Sequence, residues 1–161
     1  MLLHLAPACG TVSLVIQDSL RILQAEGYKI TQPRKQVLEV LQASHEPLSP
    51  YEIQRLLHKE GKSINHVTIY RTLDLFCTLN LAHRILSSGG FVKCAIESKE
   101  GCHRFMLCRR CGALQEFADE ELCRQESKFA RNLGFHTQYH LSESCGLCLN
   151  CHRELEERED V

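Results

Sequence analysis

Apolar residues recur at helical spacing through the first half of the chain, in runs divided by short polar breaks. The first run, LVIQDSLRILQAE at 14–26, closes at Gly27, a residue suited to ending a helix. Thr31 and Pro33 then lead into QVLEVLQAS, where Val37, Leu38 and Leu41 share one face. Ser49-Pro50-Tyr51-Glu52 is a start signal. Ser49 caps, Pro50 suits the first turn, and Glu52 stands three residues on to complete a capping box. Ile53, Leu56 and Leu57 supply that helix's buried stripe, and GKSI at 61–64 breaks it. In NHVTIYRTLDLFCTLNL, Ile69, Leu73 and Phe76 recur at i, i+4 and i+7, which predicts a core face. His66, Val67, Tyr70 and Arg71 lie opposite it, near the helix start.

The period then changes. AHRILSSGGFVKCAI reads as two short strands around a Ser-Ser-Gly-Gly turn. Helices joined by a brief turn and followed by such a hairpin make a winged helix, whose second helix enters the major groove. Arg71 is the residue placed to pair with guanine, a contact that discriminates by about 1–3 kcal/mol. Packed helices with a polar outer face are also common in all-helical proteins, so this half alone does not choose.

The second half has different chemistry. CHRFMLCRRCGALQE at 102–116 holds Cys108-x-x-Cys111, and 36 residues lie between that pair and Cys148-x-x-Cys151. Two such pairs are the ligand set of a closed tetrahedral zinc site. DEELCRQESKFARNLG between them predicts a helix from near Asp119 to Gly134, and GFHTQYHLSE alternates like a strand. Zinc would clip a β-α-β segment too small for a large core, so metal binding and folding would be coupled. Cys145 also stands where Cys145/Cys148 could form the second pair. Iron–sulfur ligation is the competing chemistry, less suited to two separated pairs beside histidines. His83 and Cys94 fall on the wing strands, and His103 and Glu116 flank the first knuckle. Singly, each has an ordinary structural reading; together, they would place a second metal at the hinge.

Composition narrows the classes. Hydrophobic residues make up 43% and charged residues 24% of 161, as in globular chains. No apolar run approaches the roughly 18 residues of a membrane span. MLLHLAPACGTVSLVI has no basic residue ahead of its apolar part and no convincing cleavage site, so a secretory signal is not expected. Ten cysteines without an export signal suggest a reducing compartment, the cytoplasm, where paired cysteines bind metal more often than they form disulfides. The net charge of −1 hides an asymmetry: ten Lys and Arg face seven Asp and Glu in 1–95, but nine face thirteen in 96–161.

TQPRKQVLEVL, SPYEI, VTIYRTLDLF and CRRCG…CLNC together resemble the ferric uptake regulator superfamily, over about 14–153. The resemblance implies an α+β chain: an N-terminal arm (1–13), a winged-helix DNA-binding domain (14–95), a hinge (96–101), a small α/β dimerisation and metal-binding domain (102–153) and an acidic tail (154–161). It favours Cys148 and Cys151 as the second pair, giving structural zinc on Cys108, Cys111, Cys148 and Cys151. Tyr51, Tyr70 and Arg71 would approach bases, and Arg34 and Thr68 phosphates. His83, Cys94, His103 and Glu116 coincide with the sensory ligands of the zinc uptake regulator branch, and a thiolate favours zinc over ferrous iron. Relatives with a third site imply the positions Cys102, Arg104, Cys123 and His140, of which Arg104 cannot ligate a metal.

The expectation is therefore a homodimeric repressor that binds double-stranded operator DNA when zinc is plentiful and controls zinc uptake. It carries one structural and one regulatory zinc per monomer and has no membrane or small-molecule partner. An iron- or peroxide-responsive sibling and a zinc-stabilised protein-interaction adaptor are the alternatives. A metalloenzyme is disfavoured, because four protein ligands leave no open coordination position.

Overall fold

The computed structural model describes residues 16–96, 102–138 and 140–159. The expected arm and residues 97–101 of the expected hinge lie outside them. Four helices come first: α1 (Ile16–Ala25), α2 (Gln32–Ala43), α3 (Pro50–Lys59) and α4 (His66–Thr78). The capping box at α3 forms as expected, with Ser49 accepting from the Glu52 amide and the Glu52 carboxylate accepting from the Ser49 amide. Thr31 stands at the N-cap of α2 but makes no side-chain cap, so Pro33 in its first turn supplies the start signal. Leu23, Val37, Leu38, Ile53, Leu57, Ile69, Leu73 and Phe76 are all fully buried in one core. That core fixes α4 and leaves its outer face free.

The wing follows as β1 (Ala82–Arg84) and β2 (Phe91–Lys93), paired antiparallel. Leu48 and Phe91 exchange backbone hydrogen bonds (2.9 and 2.8 Å), pinning β2 to the α2–α3 loop. Gly90 is what lets them meet: a Cβ there would stand 2.8 Å from the Pro47 Cβ and 2.9 Å from its carbonyl carbon.

The remaining elements are β3 (Cys102–Cys108), β4 (Leu114–Phe117), α5 (Glu120–Asn132), β5 (His140–Gly146) and α6 (Leu149–Glu159). The sheet order is β4-β3-β5, with β4 antiparallel and β5 parallel to the central β3. A parallel neighbour needs a long crossover, and α5 lies within it. The last strand starts at His140, later than GFHTQYHLSE suggested, because 135–137 take no regular structure. Residues 154–159 of the expected tail belong to α6.

Beyond residue 101, Phe105 is the one large apolar side chain buried among the described residues; the other buried groups are Cys102, His103, Arg104, Cys108, Cys123 and Cys151. Phe105 packs with Ile85 and Val92 of the wing segment. A sheet with so little apolar core of its own depends on sulfur chemistry, on the wing and on whatever covers its exposed face. Among the described residues, no helix is long and apolar enough to cross a membrane.

Candidate metal centres and nucleic-acid interface

Two clusters of ligand side chains assemble among the described residues. In the first, the sulfurs of Cys108, Cys111, Cys148 and Cys151 lie within 4.8 Å of one another. Cys108 ends β3, and the turn after it closes through Gly112 N to Cys108 O (3.0 Å) and Cys108 N to Ala113 O (2.9 Å). Gly112 has φ +74°, a left-handed conformation that favours glycine. The second pair sits at the start of α6, where Arg110 ties the two knuckles by donating to Cys151 O (3.0 Å) and pairing with Glu154 (3.0 Å). Cys145, on β5, is outside the cluster, whereas Cys148 and Cys151 are within it. Backbone N–H groups, led by that of Cys111, pull the Cys108 thiol down to about 6. Burial, followed by the neighbouring sulfurs, pushes Cys151 up to about 12. Four thiols this close cannot all ionise alone; a divalent cation that takes soft sulfur ligands removes the conflict.

The second cluster brings together His83 from β1, Cys94 just after β2, His103 from β3 and Glu116 from β4, again with ligand atoms within 4.8 Å of one another. Its centre is the Glu116 Oε1 atom, 2.8 Å from His103 Nδ1, 3.4 Å from His83 Nε2 and 3.5 Å from Cys94 Sγ. Cys94 is fixed at both ends, its amide bonding Leu81 O (2.9 Å) and its thiol donating to Ile96 O (2.9 Å). Burial lowers His83 to about 4, against the pull of Glu116, so its imidazole is neutral at pH 7. Burial, then Glu116, raises the Cys94 thiol well above its ordinary value. The buried His83 Nε2 makes no hydrogen bond. A neutral, buried, unpartnered imidazole nitrogen facing a carboxylate and a thiol fits a metal ion.

The third set behaves differently. The side chains of Cys102 and Cys123 meet, with Cα atoms 6.5 Å apart, a separation that a disulfide can span. His140, opposite Cys102 in the β3–β5 register, has both ring nitrogens engaged, by Glu126 (2.8 Å) and Ser127 (3.0 Å). Arg104 is buried there and donates to Glu126 at 2.6 Å. A permanent guanidinium thus sits on the carboxylate that His140 also holds.

Of the residues expected to meet DNA, Tyr51 and Tyr70 are 69% and 42% exposed, Arg71 is exposed and Thr68 half-buried. Arg34 is half-buried and donates to Lys29 O (2.5 Å), with Tyr28 under its guanidinium. The Asn65 side chain caps α4 through the Thr68 amide (2.8 Å). His66, which was not in the expected set, lies between the two tyrosines, with ring centroids 4.1 Å from Tyr51 and 4.7 Å from Tyr70. Its position at the first turn of α4, beside a tyrosine of α3, was the available signal.

A sequence profile described as the ferric uptake regulator family matches residues 25–143. The chain belongs to the ferric uptake regulator family. It is 34% identical over 124 residues to the ferric uptake regulation protein of Cupriavidus metallidurans, covering 76% of this chain and 85% of that one. A zinc uptake regulator solved with zinc and DNA superposes with a TM-score of 0.79 at 24% identity, covering 88% of this chain and 95% of that one. The crystal structure of holo XcZur gives 0.75 at 26% identity, over 86% and 96%. Ferric uptake regulator proteins are metal-responsive transcription regulators that bind operator DNA as dimers, and the helical half with its α/β partner is their fold.

Proposed function

We propose that this family member is a zinc sensor: a repressor that binds its operator when a second zinc ion joins the wing to the sheet, and so limits zinc uptake in the cytoplasm. The observation that carries the reading is Cys94, a buried thiol among two histidines and a carboxylate. Ferrous iron and manganese prefer nitrogen and oxygen donors; a thiolate moves the preference towards zinc. In this reading Cys108, Cys111, Cys148 and Cys151 hold a permanent zinc that maintains the C-terminal part, and His83, Cys94, His103 and Glu116 hold the regulatory ion.

The division of labour proposed for the chain follows. Residues 14–95 read DNA, 96–101 connect, and 102–153 dimerise. Support for dimerisation comes from β5, whose outer edge has no partner strand among the described residues, and from exposed Leu122, Phe129, Leu133, Phe135 and Leu141 nearby in sequence. Unpaired edges and clustered exposed apolar groups mark association surfaces. A clasp that fixes both wings of a dimer would hold two recognition helices at the spacing of successive major grooves, about 34–36 Å. The ion need not touch DNA; it need only favour the closed arrangement.

The test is operator binding measured with zinc, manganese or a chelator present, using a duplex selected from random sequence by the zinc-loaded protein. Zinc is expected to promote binding at lower free concentration than manganese, and the chelator to reverse it. Equal or better activation by manganese or ferrous iron would assign the chain to the iron-type reading instead. In the same assay Arg71→Ala is expected to lower affinity by about 1–3 kcal/mol without changing zinc content, and unchanged affinity would remove Arg71 from the base-reading set.

A further inference from the structure

One row of the three-stranded sheet sets Glu116, Phe105 and Glu143 side by side. Phe105 is opposite Glu116 in the antiparallel register with β4 and opposite Glu143 in the parallel register with β5. Residues directly opposite one another across paired strands share a face of the sheet, and this face is the one the wing lies on. Each member of the row holds a different part of the wing. At one end Glu116 accepts from the Ala95 amide (2.6 Å) and reaches His83 and Cys94. In the middle Phe105 is buried against Ile85 and Val92. At the far end the two carboxylate oxygens of Glu143 accept from the consecutive amides of Leu86 (2.5 Å) and Ser87 (3.1 Å), at the turn of the wing. Leu86 is 73% exposed, so its own side chain gives this turn little apolar anchorage.

We propose that Glu143 is a positioning residue: a metal-independent latch that holds the wing turn on the sheet and thereby helps set the zinc concentration at which the protein switches. Two adjacent backbone N–H groups converging on one carboxylate form an anion-binding nest, and hydrogen bonds to an ionised acceptor are the stronger kind. The contact joins residues 56 and 57 positions apart in sequence and involves none of the clasp side chains. It therefore stabilises the closed wing before the second zinc arrives. A ligand that binds only the closed state has its apparent affinity reduced by the fraction of molecules that are open. Removing the latch enlarges that fraction and raises the zinc needed, while the zinc-saturated complex with DNA changes far less.

This inference rests on the reading that metal in the clasp closes the wing, and its test separates the two. Operator binding against free zinc is measured for the full-length protein, Glu143→Ala and Glu143→Gln, alongside the amide resonances of Leu86 and Ser87 in protein carrying only its first zinc. The half-activating zinc concentration is expected to rise roughly fivefold or more in Glu143→Ala, with Glu143→Gln, which keeps one acceptor oxygen, in between. The two amide resonances should move in the same order, with dimer and first zinc retained. A half-point within twofold of wild type in Glu143→Ala overturns the regulatory role, and unmoved Leu86 and Ser87 amides overturn the contact itself. If Glu143→Ala loses its dimer or first zinc, Glu143→Gln decides by the same two readouts. Wild-type binding that ignores zinc would instead defeat the proposed function, and the amides would then decide the latch alone.

Discussion

Cys94→Ser is expected to abolish the zinc-dependent gain in operator affinity while leaving the dimer and one tightly held zinc per monomer intact. The substitution is nearly isosteric and removes only the sulfur from a side chain that is 1% exposed, so cavity formation contributes little. What it removes is the one soft donor of the second cluster. With His83, His103 and Glu116 left, the site has three nitrogen and oxygen donors, holds zinc more weakly and selects less strongly against harder ions. The loss should equal the whole allosteric coupling, typically about 1–3 kcal/mol or 5- to 150-fold in affinity. Sedimentation, zinc content and operator titration check the three parts separately. The state of the thiol adds a signature. Cys94 is held protonated by burial and by Glu116, so zinc must displace its proton, and affinity of the second ion should rise with pH. His83 works the same way at the acid end. Its pKa is lowered to about 4, so it begins to compete for a proton only as the pH falls towards that value. In Cys94→Ser the proton release on adding the second equivalent should vanish.

Cys151→Ser is expected to have the largest effect on the protein as a whole: loss of the first zinc and, with it, of the folded C-terminal part and the dimer. The reason is the poverty of that part's own core, where Phe105 is the one large buried apolar side chain among the described residues and packs against the wing segment. Cys151 is buried at the start of α6 and its carbonyl takes the Arg110 hydrogen bond, so a zinc ion there would join α6 to the end of β3. Structural zinc sites contribute an apparent binding free energy of roughly 10–16 kcal/mol, which appears as folding free energy. That exceeds the usual stability of a small domain, about 5–15 kcal/mol, or nearly equals it. The helical part has a core of its own, centred on Leu38, Ile69 and Phe76, and should survive. Circular dichroism and size-exclusion chromatography of the variant, or of wild type treated with a strong chelator, would show a folded N-terminal remnant in a monomeric chain. A dimer of unchanged melting temperature would contradict the assignment.

The two halves were not equally legible. The helical part could be read because its signals are local: the reciprocal Ser49–Glu52 cap forms within four residues, and the Ile69, Leu73, Phe76 stripe lies along one helix. The two Cys-x-x-Cys pairs stood out for the same reason, each spanning a single turn, and their four sulfurs do assemble. β3 was hidden, because Cys102, His103, Arg104 and Phe105 are all buried and so show none of the alternation a half-exposed strand would. α6 was hidden for the opposite reason: beyond Cys151 its described side chains are exposed, and nothing apolar repeats. The second candidate metal cluster draws one ligand from each of four separate segments, so no spacing rule could join them; residue type suggested the set, and the family resemblance gave it most of its weight. Glu143 gave no signal at all. An acidic residue on an edge strand reads as a solvated one until the Leu86 and Ser87 amides are seen to converge on it.

The whole account depends on sulfur taking part in the joint between reading head and sheet. A crystal structure of the protein with two equivalents of zinc, with the ions located by anomalous scattering, examines that directly. The second ion is expected about 2.3 Å from Cys94 Sγ and about 2.0–2.1 Å from a nitrogen of His83 and of His103, with Glu116 completing a tetrahedron. An ion held in the same cleft by other side chains, with the Cys94 thiol turned away, would contradict it.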